Sequence, residues 1–166
     1  MSDSHGRALT TRLAVDLLVQ HGAQRLIHLG DVGTVEVIDQ LVVVPPGSAD
    51  ALPAHLVFGN VDWDAASLQR YAQAIGVRVD HPVGRLDLEG GRRLVFMHGD
   101  DAGALAQALA QGVTYLCHGH SHRQVDERRG ATRVINPGAL FRAAVYSVAL
   151  LDTQADTVDF LDIPER

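Results

Sequence analysis

The chain has 166 residues, 46% hydrophobic and 20% charged, with a net charge of −6. That is enough for one domain around one core, too apolar for a disordered segment, and too acidic for a general polyanion binder. Apolar runs such as residues 41–44 are far too short to cross a bilayer, and no apolar h-region follows Met1, so neither a membrane span nor a secretory signal is expected.

In chain order, Leu9, Leu13 and Leu17, with Val15 and Leu18, give a helix-period apolar face over residues 7–20, ended by Gly22. The apolar run 25–29 reads as a strand. Residues 34–41 read as a second helix capped by Thr34, and Pro45-Pro46-Gly47 forces a loop. A second apolar run, 55–58, precedes a short helix over 65–75 that stops at Gly76. The pattern then shifts to hairpins. Residues 85–89 and 92–97 flank Gly90-Gly91, and after a helix over 102–111 and a strand over 113–117, residues 124–128 and 132–135 flank Arg129-Gly130. Runs 144–151 and 157–161 complete the strands. Early alternation followed by hairpins predicts an α/β fold, two packed sheets flanked by helices, as a single domain over residues 1–166.

Composition narrows the chemistry. All 14 basic residues are arginine, which removes Schiff-base lysines and the P-loop lysine from consideration. One cysteine, Cys117, cannot form an internal disulfide and suits a reducing cytoplasm. Asp outnumbers Glu by 16 to 4, and His98, His118, His120 and His122 crowd one short stretch. Four apolar runs each end in a metal-competent side chain beside a glycine. They lead into Gly30-Asp31, Gly59-Asn60, His98-Gly99 and His118-Gly119-His120-Ser121-His122. In open α/β sheets the functional crevice lies beyond the carboxyl ends of the strands. At the N-terminus stands Asp3-Ser4-His5-Gly6, where Asp3 and His5 share one side of an extended segment, as do His120 and His122. Asp, Asn and imidazole without thiolate suit a borderline divalent ion. Seven such groups exceed a four-ligand structural site and suit two ions, roughly 3.5–4 Å apart.

These five ordered segments, with the later Asn136-Pro137-Gly138, resemble the motifs of calcineurin-like metallophosphoesterases, and the compact length is most similar to their small bacterial and archaeal phosphodiesterase branch. The resemblance implies a four-layer, two-sheet α/β sandwich. It implies that Asp3, His5 and His122 hold one metal, that Asp31 bridges both, and that Asn60, His98 and His120 complete the second. It further implies Mn²⁺, with Fe²⁺, Zn²⁺ or Ni²⁺ as other candidates, attack of a metal-bridging hydroxide on phosphorus, a small phosphoester or phosphodiester substrate, and an oligomeric state open to homo-oligomers. A silent interaction scaffold of the retromer-subunit type and a metal-dependent nuclease are the alternatives. The first is disfavoured because all seven ligands are kept, the second because there is no lysine and no basic stripe.

Two features depart from the family pattern. Only Met1 and Ser2 precede Asp3, so the first strand is expected to be missing or truncated, with a start lying upstream, neighbouring backbone unpaired and Asp3 on a frayed end. Val61 stands where many relatives carry a histidine general acid. Asp62 is kept as a weak catalytic candidate, better suited to orienting a ligand than to giving up a proton. Esters with good leaving groups are therefore the expected substrates, with specificity in loops 44–54 and 62–84 and Trp63 as a wall of the cleft. His21, His55 and His81 read as surface residues and His28 as a hydrogen-bonded core imidazole. His118 reads as structural, Asp100 and Asp101 as a helix cap and Cys117 as unreactive, while Arg142 could reach a phosphate but reads better as solvated or salt-bridged.

Overall fold

The computed structural model describes residues 1–164. Helix α1 (Ala8–Gln20) is followed by β1 (Leu26–His28), α2 (Val35–Asp39), β2 (Ala54–Leu56), α3 (Ala65–Ala74) and a two-residue β3 (Arg78–Val79). Next come β4 (Val83–Asp87), β5 (Arg93–Met97), α4 (Ala102–Ala110), β6 (Tyr115–Cys117), β7 (Gln124–Arg129), β8 (Thr132–Pro137), β9 (Ser147–Asp152) and β10 (Thr157–Asp162). Strands β1, β2 and β3 form a parallel sheet, and β9 and β10 form an antiparallel pair. The largest sheet has the order β4-β5-β6-β8-β7, parallel in its middle and antiparallel at both edges. No helix among the described residues is long and apolar enough to cross a membrane.

Side-chain alternation along the strands builds the layers. In β5, Leu94 and Phe96 turn to an inner core with Leu29, Val57, Tyr115 and Ile135, between the sheets. Val95 and Met97 turn the other way, onto Ala108 of α4. On the opposite side, α1, α2 and α3 cover the β1–β3 sheet through Val15, Leu18, Ile38, Leu56 and Leu68. The result is helix, sheet, sheet, helix, as expected from the sequence.

Details depart from that expectation. In α1 the buried stripe is Thr11, Ala14, Val15 and Leu18, while Leu9 is 69% exposed, so the helix lies rotated from the face its leucines suggest. Thr34 takes the N-cap position of α2 without a side-chain capping bond. Strand β3 lies inside the stretch expected to be loop, because its partner β2 supplies the pairing that its own sequence does not signal.

The N-terminal segment forms no strand, as expected, but corrects the expectation of unpaired backbone and a frayed Asp3. No strand is assigned before α1, yet the Met1 ammonium donates to the Ile27 carbonyl (3.1 Å), the Leu29 N–H to the Met1 carbonyl (3.0 Å) and the Asp3 N–H to the Gly30 carbonyl (3.0 Å). On its other side the Leu140 N–H donates to the Ser2 carbonyl at 3.2 Å. Three residues thus suffice to pair with β1, and Asp3 is fully buried instead of frayed. His55 is also corrected. It is buried, its Nε2 faces the Arg25 guanidinium at 2.6 Å, and its Nδ1–H donates to Asp80 at 2.8 Å. Imidazole and carboxylate thereby tie β2 to the chain just past β3.

Candidate metal centre

The segments Asp3–Gly6, Gly30–Gly33, Gly59–Asp62, His98–Gly99 and Gly119–His122 meet at one rim, where strand ends of both sheets converge. Backbone bonds lock them together: the His5 N–H donates to the Asp31 carbonyl (2.8 Å), Gly6 to Val32 (2.8 Å) and Gly119 to His98 (2.8 Å). Asn136 braces the last segment, its amide donating to the Gly119 carbonyl (2.7 Å) and the Ser121 hydroxyl (3.1 Å).

Two glycines are dictated by close approach. A Cβ on Gly59 would stand 2.1 Å from Asp31 Oδ1, and one on Gly119 would stand 1.8 Å from Ser2 Oγ and 2.7 Å from Asp3 Oδ2. The candidate ligand residues themselves adopt an unusual backbone. Asp3, His5, Asp31, His120 and His122 all have φ between 45° and 63°, in the left-handed region that non-glycine residues rarely occupy.

Two groups of potential ligand atoms result, Asp3–His5–His122 and Asp3–Asp31–His98. His122 Nε2 lies 3.2 Å from Asp3 Oδ1. Asp31 reaches both ways, with Oδ2 3.4 Å from His5 Nε2 and Oδ1 3.5 Å from His98 Nε2. Asn60 Oδ1 joins at 3.1 Å from His98 Nε2. The exposed His120 stands at the border, its ring 5.0 Å from that of His98 and its N–H donating to Asp3 Oδ2 at 3.1 Å. All seven candidate residues thus gather at one place, although His120 enters neither tight group.

The donor set fits divalent cations. Asp3 Oδ1 and His5 Nε2 are buried with no hydrogen-bond partner, an arrangement that costs free energy unless something else satisfies them. His98 donates its Nδ1–H to the Leu29 carbonyl at 2.8 Å, so its Nε2 lone pair faces two oxygen acceptors, those of Asn60 and Asp31. Lone pairs converging on lone pairs call for a positive charge between them. The ion pairs of Asp3 and Asp31 among the described residues are to histidine alone.

Other residues buttress the site. Asp62 is buried and accepts three backbone N–H groups, from Val32 (3.2 Å), Gly33 (2.8 Å) and Gly59 (2.8 Å). His28 is fully buried, accepts the Gly30 N–H (3.3 Å) and donates to Ser4 Oγ (2.7 Å); burial holds its pKa well below the ordinary imidazole value. His118 lies beside Asn136 and the Gly119 carbonyl, and burial lowers its pKa as well. Burial pushes the Cys117 thiol up to about 12, which fits an unreactive residue. Asp101 caps α4. Trp63, 90% exposed, stands out into solvent. Alongside His98 and Gly59 lies a cavity of about 120 Å³, walled by Phe58, Pro82, Met97 and Asp100. The bracing by Asn136 and the pairing of Ser4 with His28 are what sequence reasoning missed. The Asn136-Pro137-Gly138 triplet was the available signal for the first, and nothing local marks the second.

The calcineurin-like phosphoesterase superfamily domain matches residues 1–156. This chain belongs to that superfamily. It is accordingly a phosphoesterase. A phosphodiesterase of Methanocaldococcus jannaschii is 24% identical, covering 93% of this chain and 91% of the relative. Among solved structures, an archaeal phosphodiesterase superposes with a TM-score of 0.83 at 22% identity, covering 98% of this chain and 96% of that one. The E. coli phosphoesterase YfcE gives 0.65 at 24% identity (98% and 97%), and zinc-complexed Vps29 of Entamoeba histolytica gives 0.58 at 21% identity (90% and 88%). These likenesses show the fold that brings the five segments together.

Proposed function

We propose that this calcineurin-like phosphoesterase is a cytoplasmic phosphodiesterase using two divalent ions, manganese first among them, in a single domain over residues 1–166. The observation that carries the reading is the convergence of the buried Asp3, Asp31 and His98 with the half-buried His5 and His122, in which the carboxylates pair with histidines and with no arginine. Asp3, His5 and His122 would hold one ion, Asn60, His98 and His120 the other, and Asp31 both, its two oxygens facing the two groups. When bound, the ions supply Lewis-acid polarisation of the phosphoryl oxygens and a water acidic enough to attack phosphorus at neutral pH.

The chain's own residues set the rest. The Leu29 carbonyl fixes the His98 tautomer, keeping Nε2 free to ligate. Asp62 spends its acceptors on the Gly30–Gly33 and Gly59 turns, holding Asp31 against Asn60, and is a positioning residue in this scheme. Val61 has no proton to give, so the leaving group must depart as a stable anion. The relative named as a phosphodiesterase supports diesters over monoesters.

The test is metal analysis of manganese-reconstituted protein followed by hydrolysis of bis-p-nitrophenyl phosphate. Two ions per chain are expected, with aryl diesters turned over faster than alkyl diesters, and with Asn60→Ala and His98→Ala each losing about a hundredfold or more. Protein that takes up no ions, or cleaves alkyl and aryl diesters equally, would contradict it.

A further inference from the structure

Beside the ligand groups two arginines share one aromatic ring. The guanidinium carbons of Arg7 and Arg142 lie 4.8 and 5.0 Å from the centroid of Phe141, whose ring is 5.1 Å from that of His5. Both arginines are exposed, and the arginine–carboxylate pairs among the described residues belong to Arg12, Arg78, Arg128, Arg129 and Arg133 instead. Stacking fixes the face of a guanidinium and leaves its edge N–H groups free to grip two oxygens at once.

The segments that carry ligands also place the pair. Arg7 follows His5 by two residues, after Gly6, whose N–H is tied to the Val32 carbonyl. The carbonyl of Arg142 accepts from His122 Nδ1 at 3.4 Å, and the N–H of nearby Leu140 is held by Ser2. Arg142 has φ 49°, the same left-handed strain seen at five candidate ligands. Such strain persists where the surroundings impose it and clusters at functional positions. Helix α1 begins here without an acidic residue in its first turn or a side-chain cap, so nothing anionic in that turn answers the two charges. Two like charges gathered at a single ring repel one another, and an anion lying against both relieves the repulsion.

We propose that Arg7 and Arg142, fastened by Phe141, form an anion clamp that selects phosphodiesters bearing a second, terminal phosphate. The clamp stands beside the ligand groups, seated on a ring 5.1 Å from that of His5, and in this assignment it engages a part of the substrate other than the phosphorus under attack. This assignment rests on the phosphoesterase reading above.

Two measurements test it. The first compares kcat/KM of manganese-loaded protein for thymidine 5′-(p-nitrophenyl phosphate) with and without a 3′-phosphate. The wild type should favour the 3′-phosphorylated ester by about tenfold or more, the double variant R7Q/R142Q should lose that preference, and R12Q, whose arginine pairs with Asp16 on the same helix, should keep it. An unchanged ratio in the double variant overturns the clamp and leaves the phosphoesterase reading standing. The second titrates metal-stripped protein with inorganic pyrophosphate by calorimetry, where the double variant should bind about tenfold or more weakly than wild type and R12Q. Equal affinity in all three, or no binding by wild type, overturns the clamp. If neither ester is cleaved, the phosphoesterase reading fails, and the pyrophosphate titration still decides the clamp.

Discussion

His28 is an imidazole shut away from water between Ser4 and Gly30, and its neutrality is part of the fold's stability. Its pKa is depressed in the folded state from 6.5, so below that value the unfolded chain takes up a proton that the folded chain refuses. The stabilisation is complete above about pH 6.5 and is lost as pH falls below it. Denaturant titrations of metal-stripped protein should therefore show a midpoint falling from pH 7 to pH 5, with a shallower fall in His28→Asn. Asp62 gives a second test. Replacing it with Asn puts an N–H2 where a backbone N–H now donates, leaving a buried donor unpaired at a cost of about 1–3 kcal/mol. Asp62→Asn should lower stability and metal occupancy together while the pH–rate profile keeps its shape; loss of one limb of that profile would instead mark Asp62 as a proton donor.

The elements differ in how openly the residues announced them. The hairpins β4–β5 and β7–β8 were legible because Gly90-Gly91 and Arg129-Gly130 mark tight turns between strand-like segments, and turn chemistry is local. Four of the five candidate ligand segments were legible because each follows a largely buried strand. Strand β3 and the rotation of α1 were not, because pairing with β2 and the shape of the helix–sheet interface decide them, and both are tertiary facts. His55 misled for the same reason: only the fold brings Arg25 and Asp80 to its two nitrogens. The cap of α4 is a local signal that held. The Asp101 carboxylate accepts from Gly103 (2.8 Å) and Ala104 (3.0 Å), and Asp101→Ala should cost about 1 kcal/mol in chemical denaturation.

At the scale of the molecule, candidate ligands drawn from both sheets would make ion binding a clamp on the sandwich. Two buried carboxylates paired with histidines alone would oppose folding until ions arrive. At a hundredfold excess over the dissociation constant each ion should add about 2.7 kcal/mol, or roughly 5–10 °C in Tm, by scanning calorimetry of metal-stripped protein with and without manganese. A Tm indifferent to manganese would mean that the two sheets are not joined through the site. The left-handed backbone at Asp3, His5, Asp31, His120 and His122 carries one more consequence. Asparagine, aspartate and glycine tolerate that conformation, whereas valine, isoleucine and threonine resist it. Mutational drift at these five positions is thus funnelled: exchanges such as aspartate to asparagine erase charge yet spare the loops, so a descendant can forfeit its chemistry without forfeiting its architecture.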